Sequence, residues 1–194
     1  MQLPAVGDRL PQQGNRFTRA LGRTILRLMG WRVDGAIPNR EKLLAIAAPH
    51  TSGWDFTIAM FALLGIGIRL SWLGVDWLVR YPFMRMIGGI PVDRSSRAGM
   101  VPQAIEKFRH RERFVLGLSP EGSRKKVVPW KTGFYHIAVG AGVPILLVSL
   151  DQDNKRIHIG PWFEPSGDYE ADMATQIKPF YAEFAERYSD RFGF

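Results

Sequence analysis

His50 and Asp55 are the two residues whose types and spacing could carry proton transfer. They lie in Ala48-Pro49-His50-Thr51-Ser52-Gly53-Trp54-Asp55. A carboxylate that takes the proton of one imidazole nitrogen leaves the other free as a general base near neutral pH. Five residues along an ideal helix separate two side chains by about 140°, so the pair cannot share one helical face. It closes only if His50 precedes the helix and folds back over its first turn. Four His and ten Asp in 194 residues give about 0.2 such spacings by chance. Alone, then, the pair does not separate a base from a structural histidine.

Three further segments carry groups suited to an anion. Ser119-Pro120-Glu121-Gly122-Ser123-Arg124-Lys125-Lys126 offers a glycine for close backbone approach, a hydroxyl and three cations, the makings of a phosphate cradle. Taken by itself it reads equally as a charged turn. Gly88-Gly89-Ile90-Pro91-Val92-Asp93-Arg94 joins a glycine pair to a strand end and an arginine, which a tight turn with a surface ion pair would also explain. Gly142-Val143-Pro144-Ile145 reads as the start of a core strand.

These segments must be positioned by the elements around them. Apolar runs predict strands at Leu43–Ala48, Leu70–Val75, Gly88–Asp93, Arg113–Leu118, Pro144–Leu150 and Arg156–Phe163. Pro91 marks Gly88–Asp93 as an edge or a bulge. Helices are predicted at Arg16–Trp31, Phe56–Ile68, Met100–Arg109, Phe134–Gly140 and Tyr169–Tyr188, with a short helix or loop at Pro82–Ile87 and a kink at Pro179. Nearly all-apolar strands alternating with helices predict an α/β fold: a mostly buried sheet flanked by helices, in a single domain. His50 and the Ser119–Lys126 segment both follow strands, where α/β proteins place ligands. The division expected is a basic amphipathic helical extension over 1–35 and a main domain over 36–194.

The composition narrows the class. Apolar residues make up 46% and charged residues 23%, which excludes disorder, collagen and coiled coil. There is no Cys, so no disulfide framework, thiolate metal site or Cys nucleophile exists. The net charge is +8, with nineteen Arg against seven Lys, and arginine suits bidentate phosphate contact. Six Arg and one acid fall within residues 1–32. No apolar h-region follows this basic start, so no secretory signal is expected. Phe56–Ile68 is shorter than the roughly 20 residues of a membrane span and reads as a buried helix.

At 100° per residue Phe17, Ala20, Leu21, Thr24, Ile25, Leu28 and Trp31 group on one side of the first helix, and Arg16, Arg19, Arg23 and Arg27 on another. That pattern suits an anionic membrane interface. An ordinary surface helix packed on the core with a solvated arginine stripe would give it too.

In this order, the four segments resemble the glycerophospholipid (1-acylglycerol-3-phosphate or lysophospholipid) acyltransferase family. His50 to Asp55 matches its H-x4-D block and Gly89-Ile90-Pro91-Val92-Asp93-Arg94 its second. Pro120-Glu121-Gly122-Ser123-Arg124 matches P-E-G-T-R, with Ser for Thr, and Val143-Pro144-Ile145 the fourth. The match covers about residues 40–150. Each block alone is weak; four in order at compatible spacing are specific.

The resemblance implies transfer of a fatty acyl group from acyl-CoA or acyl-carrier protein to the hydroxyl of a lysophosphatidate-like or other lyso-lipid acceptor, within phospholipid biosynthesis. It implies His50 as base oriented by Asp55, Arg94 and Arg124 holding the acceptor phosphate, and Glu121, Gly122 and Ser123 shaping the pocket. No metal or cofactor is expected beyond the thioester co-substrate. Members commonly carry a membrane-binding N-terminal helix, which assigns that part to Arg16–Trp31 and implies a peripheral protein on the cytoplasmic side of a membrane. The other reading is a non-catalytic basic protein binding anionic lipid or nucleic acid. An intact His–Asp pair and the absence of a nucleic-acid motif count against it, and no nucleic-acid partner is expected.

Overall fold

The computed structural model describes residues 3–50, 52–93, 99–122 and 126–194. The chain runs α1 (Arg16–Leu28), β1 (Arg32–Gly35), β2 (Lys42–Ala48), α2 (Trp54–Ile66), β3 (Leu70–Val75), α3 (Asp76–Val79), α4 (Pro82–Met86), β4 (Gly89–Val92), α5 (Met100–Arg109), β5 (Phe114–Leu118), α6 (Gly133–Ala141), β6 (Ile145–Asp151), β7 (Arg156–Phe163), α7 (Tyr169–Asp172), a π-helical segment (Met173–Ile177) and α8 (Lys178–Arg187). Among the described residues seven strands form one sheet, in the order β1-β7-β6-β2-β5-β3-β4. β2 to β6 run parallel to one another; β7 is antiparallel to β6, and β1 runs with β7.

The two-residue period of the strands divides the core. Leu43 and Ala45 of β2 face one side with Val115 and Leu146, against Leu26 of α1 and Ile58, Ala62 and Ile66 of α2. Leu44, Ile46 and Ala48 face the other side with Leu116 and Leu147, against α5, α6 and the C-terminal helices. Apolar on both faces, β2 can only be a central strand. β4 lies at the sheet edge, as Pro91 predicted.

α1 opens on a capping box: the Asn15 side chain accepts from the Thr18 amide at 3.0 Å, and the Asn15 amide donates to the Thr18 hydroxyl at 2.8 Å. It crosses α2 at Gly22, where a Cβ would sit 2.6 Å from the Gly65 nitrogen and 2.8 Å from the Phe61 carbonyl. Only glycine allows that approach. Most side chains of the expected apolar stripe therefore point away from the protein: Phe17 is 74% exposed, Leu21 44% and Leu28 83%, while Leu26, and Trp31 just past the helix, are buried. The arginine stripe is also divided. Arg23 Nε donates to the Gly65 carbonyl at 3.0 Å and Arg19 to Gln12 at 3.3 Å. Arg16 and Arg27 are exposed.

The segment expected as an extension, residues 1–35, joins the same core through its described residues. Trp31 and Val33 are buried, and β1 pairs with β7 from Arg32↔Arg156 to Gly35↔Ile159. Neither β1, a short and half-polar strand, nor α3 was expected. Near the C terminus the helix expected over Tyr169–Tyr188 widens into the π-helical segment just before Pro179, where the missing N–H removes a helical donor. Among the described residues no helix is long and apolar enough to cross a membrane.

Tyr181 fastens α8 to the sheet. It is fully buried; its hydroxyl lies 3.0 Å from the Ile46 carbonyl and 2.9 Å from that of Val148, and accepts the Val148 amide at 3.2 Å. Burial pushes its pKa far above the phenolic range. Tyr181→Phe should leave these β2 and β6 backbone groups short of a partner and cost about 1–3 kcal/mol, measured as a lower urea midpoint with an unchanged m-value.

Candidate active site

β2 and β5 are neighbours in register, Ile46 opposite Leu118, but their chains leave the sheet in opposite directions. β2 leads to α2 on one face and β5 to α6 on the other. The divergence makes the carboxyl ends of the two strands the topological switch point, the place at which open α/β sheets bind ligands. His50 leaves β2 there and Ser119 to Gly122 leave β5.

His50 stands ahead of α2, which begins at Trp54, and folds back so that its Nδ1 lies 3.0 Å from Asp55 Oδ2. Asp55 is 2% exposed. The same oxygen accepts the Ser52 amide at 2.9 Å, and Oδ1 accepts from the Gln152 side chain. The carboxylate also occupies the first turn of α2, where the helix dipole favours negative charge. Because a carboxylate only accepts, Nδ1 carries the imidazole proton and Nε2 presents its lone pair. The His50 side chain is 30% exposed. The arrangement can take a proton from a hydroxyl brought to Nε2.

The second strand end holds the backbone of the first. Glu121, 1% exposed, accepts the His50 amide at 2.8 Å and the Ser119 hydroxyl at 3.2 Å. Burial raises its pKa, against the opposing pull of the His50 amide and the Ser119 hydroxyl. Its carboxylate is thus a brace between β2 and β5 rather than an open wall of a binding site. Gly122 has φ +63°, and the Lys131 side chain passes over it: a Cβ there would lie 3.2 Å from Lys131 Nζ.

His50, Asp55, Glu121 and Gly122 therefore come together as expected. Arg94, Ser123 and Arg124 lie outside the described residues. The chain leading to Arg94 is fixed by Gln103 of α5, which accepts the Asp93 amide at 3.1 Å and donates to its carbonyl at 2.8 Å. Two site residues were missed. Gln152, at the β6–β7 turn and 97 positions from Asp55, has no local pattern to betray it. Lys131 had a signal, being a cation shortly after the Glu121–Lys126 segment. Among the described residues no three His, Asp or Glu side chains gather as metal ligands would.

A family model described as Acyltransferase matches residues 32–151, from β1 to the end of β6 with His50, Asp55 and Glu121 inside it. The chain belongs to the Acyltransferase family. Within that family it is similar to the 1-acyl-sn-glycerol-3-phosphate acyltransferase of Haemophilus influenzae, at 24% identity over 144 residues, 70% of this chain and 60% of that protein. It is 26% identical to the Escherichia coli protein of the same name over 164 residues, 78% of this chain and 65% of that one. The chain thus spans 60–65% of the length of these acyltransferases. The crystal structure of the 1-acyl-sn-glycerophosphate (LPA) acyltransferase PlsC from Thermotoga maritima shares the fold, with a TM-score of 0.61 over 91% of this chain and 80% of that one at 20% identity.

Two outcomes test this geometry without substrate. Gln152→Leu should strand one Asp55 oxygen in a buried setting, costing about 1–3 kcal/mol, and should shift the His50 ring resonances; unchanged resonances would show that Gln152 does not hold the pair. For Glu121 the folded pKa lies above the ordinary 4.5, so the contribution of its neutral form is fully present below 4.5 and fades as pH rises through the folded value. Glu121→Gln keeps an acceptor for the His50 amide and cannot ionise. Urea unfolding should show the variant gaining on the wild type between pH 4.5 and neutrality, and level with it below.

Proposed function

We propose that this protein transfers a fatty acyl group from an acyl thioester, acyl-CoA or acyl-carrier protein, to a hydroxyl of a lysophosphatidate-like acceptor. The observation that carries the proposal is the His50–Asp55 pair, with Nδ1 held 3.0 Å from a buried carboxylate and Nε2 presenting its lone pair at the carboxyl ends of β2 and β5. Family membership supports the reaction class. The relatives' name, 1-acyl-sn-glycerol-3-phosphate acyltransferase, supports the acceptor.

In this reading His50 Nε2 takes the acceptor's hydroxyl proton as the oxygen attacks the thioester carbon. Asp55 keeps the tautomer and steadies the imidazolium that forms. The tetrahedral intermediate collapses by breaking the carbon–sulfur bond, and the departing thiolate recovers the proton from His50. Substrate oxygen attacks directly, so no acyl-enzyme is required. Arg94, Ser123 and Arg124, joined by Lys131, bind the acceptor phosphate.

The protein works at a membrane surface through α1, a peripheral association with the cytoplasmic face. Support comes from Phe17, Leu21 and Leu28, all exposed, with Arg16 and Arg27 flanking them at about 0–20° to their 100–140° on the helical wheel.

His50→Ala should lower turnover by about 10² to 10⁴ with little change in acceptor KM. Arg124→Ala should instead raise acceptor KM by about 10- to 100-fold, and should cost little with an acceptor that lacks phosphate. A His50→Ala protein with normal turnover would sink the mechanism. For the membrane, Phe17→Ser and Leu28→Ser combined with Arg16→Gln and Arg27→Gln should cut cosedimentation with anionic vesicles by about 10² or more. Unchanged sedimentation would remove α1 as the anchor.

A further inference from the structure

The turn between β6 and β7 carries Gln152, whose side chain donates to Asp55, yet Asp153, Asn154 and Lys155 in the same turn are exposed. An exposed hairpin turn is ordinarily among the more mobile parts of a fold. It is a poor place from which to hold a buried carboxylate unless something fixes it.

Asp151 fixes it. This residue ends β6 and is 5% exposed. Alternation along β6 sends Ile145 and Leu147 toward α6 and the C-terminal helices, and Leu146 toward α1 and α2. Continued, it turns Asp151 to α8 and Gln152 to α2. Within the turn, Asp151 Oδ1 accepts the Asn154 amide at 3.0 Å and Oδ2 the Asn154 side chain at 2.8 Å. A turn makes that much for itself. Two further donors come from the C-terminal helix: Arg187 Nη1, 2.7 Å from Oδ2, and the Tyr188 hydroxyl, 3.2 Å from Oδ1. Tyr188 is 2% exposed, and its hydroxyl also accepts the Asp153 amide at 3.3 Å. Burial pushes the Asp151 carboxyl upward, but the bonds from Asn154 and Arg187 outweigh it and hold its pKa below the usual value. The carboxylate is therefore charged throughout the range in which a histidine titrates. Tyr181 in turn anchors α8 to the β2 and β6 backbones. A continuous set of bonds thus runs from α8 through Asp151 to Gln152, Asp55 and His50.

We propose that Asp151, gripped by Arg187 and Tyr188, is a positioning residue for acyl transfer: it fixes the turn from which Gln152 holds Asp55, and so sets the aim of His50. The proposal rests on His50 being the general base. Asp151, Arg187 and Tyr188 act only through Gln152, and a misplacement of about 1 Å at a base is enough to cost much of its rate.

The test uses Tyr188→Phe, Arg187→Gln and the two combined, in the full chain, with thermal melting to check that each folds. In protein without substrate, the His50 ring resonances should move in the combined variant as they do in Gln152→Leu. With lysophosphatidate and whichever acyl thioester the wild type uses, kcat should fall about tenfold for the combined variant and less for either change alone, with acceptor KM unchanged. Tyr188→Phe, the mildest change, carries the test if the combined variant does not fold. The deciding measurement places the same changes in a Gln152→Leu background. There they should lower the thermal midpoint as before, yet cost kcat less than about twofold more. Unmoved His50 resonances with wild-type kcat overturn the proposal, and so does a tenfold loss that persists without Gln152, which would mark the grip as support for the fold alone. Normal turnover by His50→Ala defeats the general-base reading and this proposal with it. An inactive His50→Ala beside α8 variants of normal kcat defeats the grip alone.

Discussion

Asp55 is a carboxylate taken out of water at the start of a helix, and the rest of the site follows from keeping it there. A buried carboxylate is tolerated only when its lone pairs are met. Three donors meet them: the His50 ring, the Ser52 amide and the Gln152 side chain. They come from the end of β2, the approach to α2 and the turn after β6. The carboxylate therefore does more than orient an imidazole. It ties together the carboxyl ends of two neighbouring strands, and the imidazole is oriented because that tie leaves it one place to go.

Chain topology makes the tie possible. β6 lies on one side of β2 and β5 on the other, so the residues after each converge on His50. Glu121 from the β5 side fixes its backbone at 2.8 Å, and Gln152 from the β6 side fixes its partner carboxylate. Ring and main chain are held separately, each by a long-range contact. This division suits a base that must stay aimed while a proton comes and goes.

What was legible in the sequence divides along the same line. Strand and helix periods are local, and they located β2, β3, β5, β6 and α5 closely. The His50–Asp55 pair could be read because its closure needs only a turn of chain. Gln152 could not, since nothing within a few residues distinguishes it from any surface glutamine. Glu121 was visible as a motif residue, but its role depended on knowing that β5 lies beside β2. The four-residue β1 was missed because Arg32-Val33-Asp34-Gly35 has one buried apolar residue and owes its pairing to β7.

For α1 the sequence left two readings, a helix for an anionic interface and a surface helix packed on the core, and periodicity could not say which face is buried. Side-chain size favours burying the largest apolar residues, yet the face that meets α2 is centred on Gly22 and Leu26. A helix turned to bury Phe17, Leu21 and Leu28 would remove three large side chains from water, each worth roughly 1.5–3 kcal/mol. The observed crossing forgoes that gain because Gly22 lets two backbones approach as no larger residue could, and because Arg23 caps the Gly65 carbonyl near the end of α2. Folding thus directs Phe17, Leu21 and Leu28 outward, flanked by Arg16 and Arg27. Scattered exposed leucines need no explanation, but a coherent apolar stripe turned away from the core by a glycine contact does. The membrane association proposed for α1 would give that stripe the apolar partner that the fold does not.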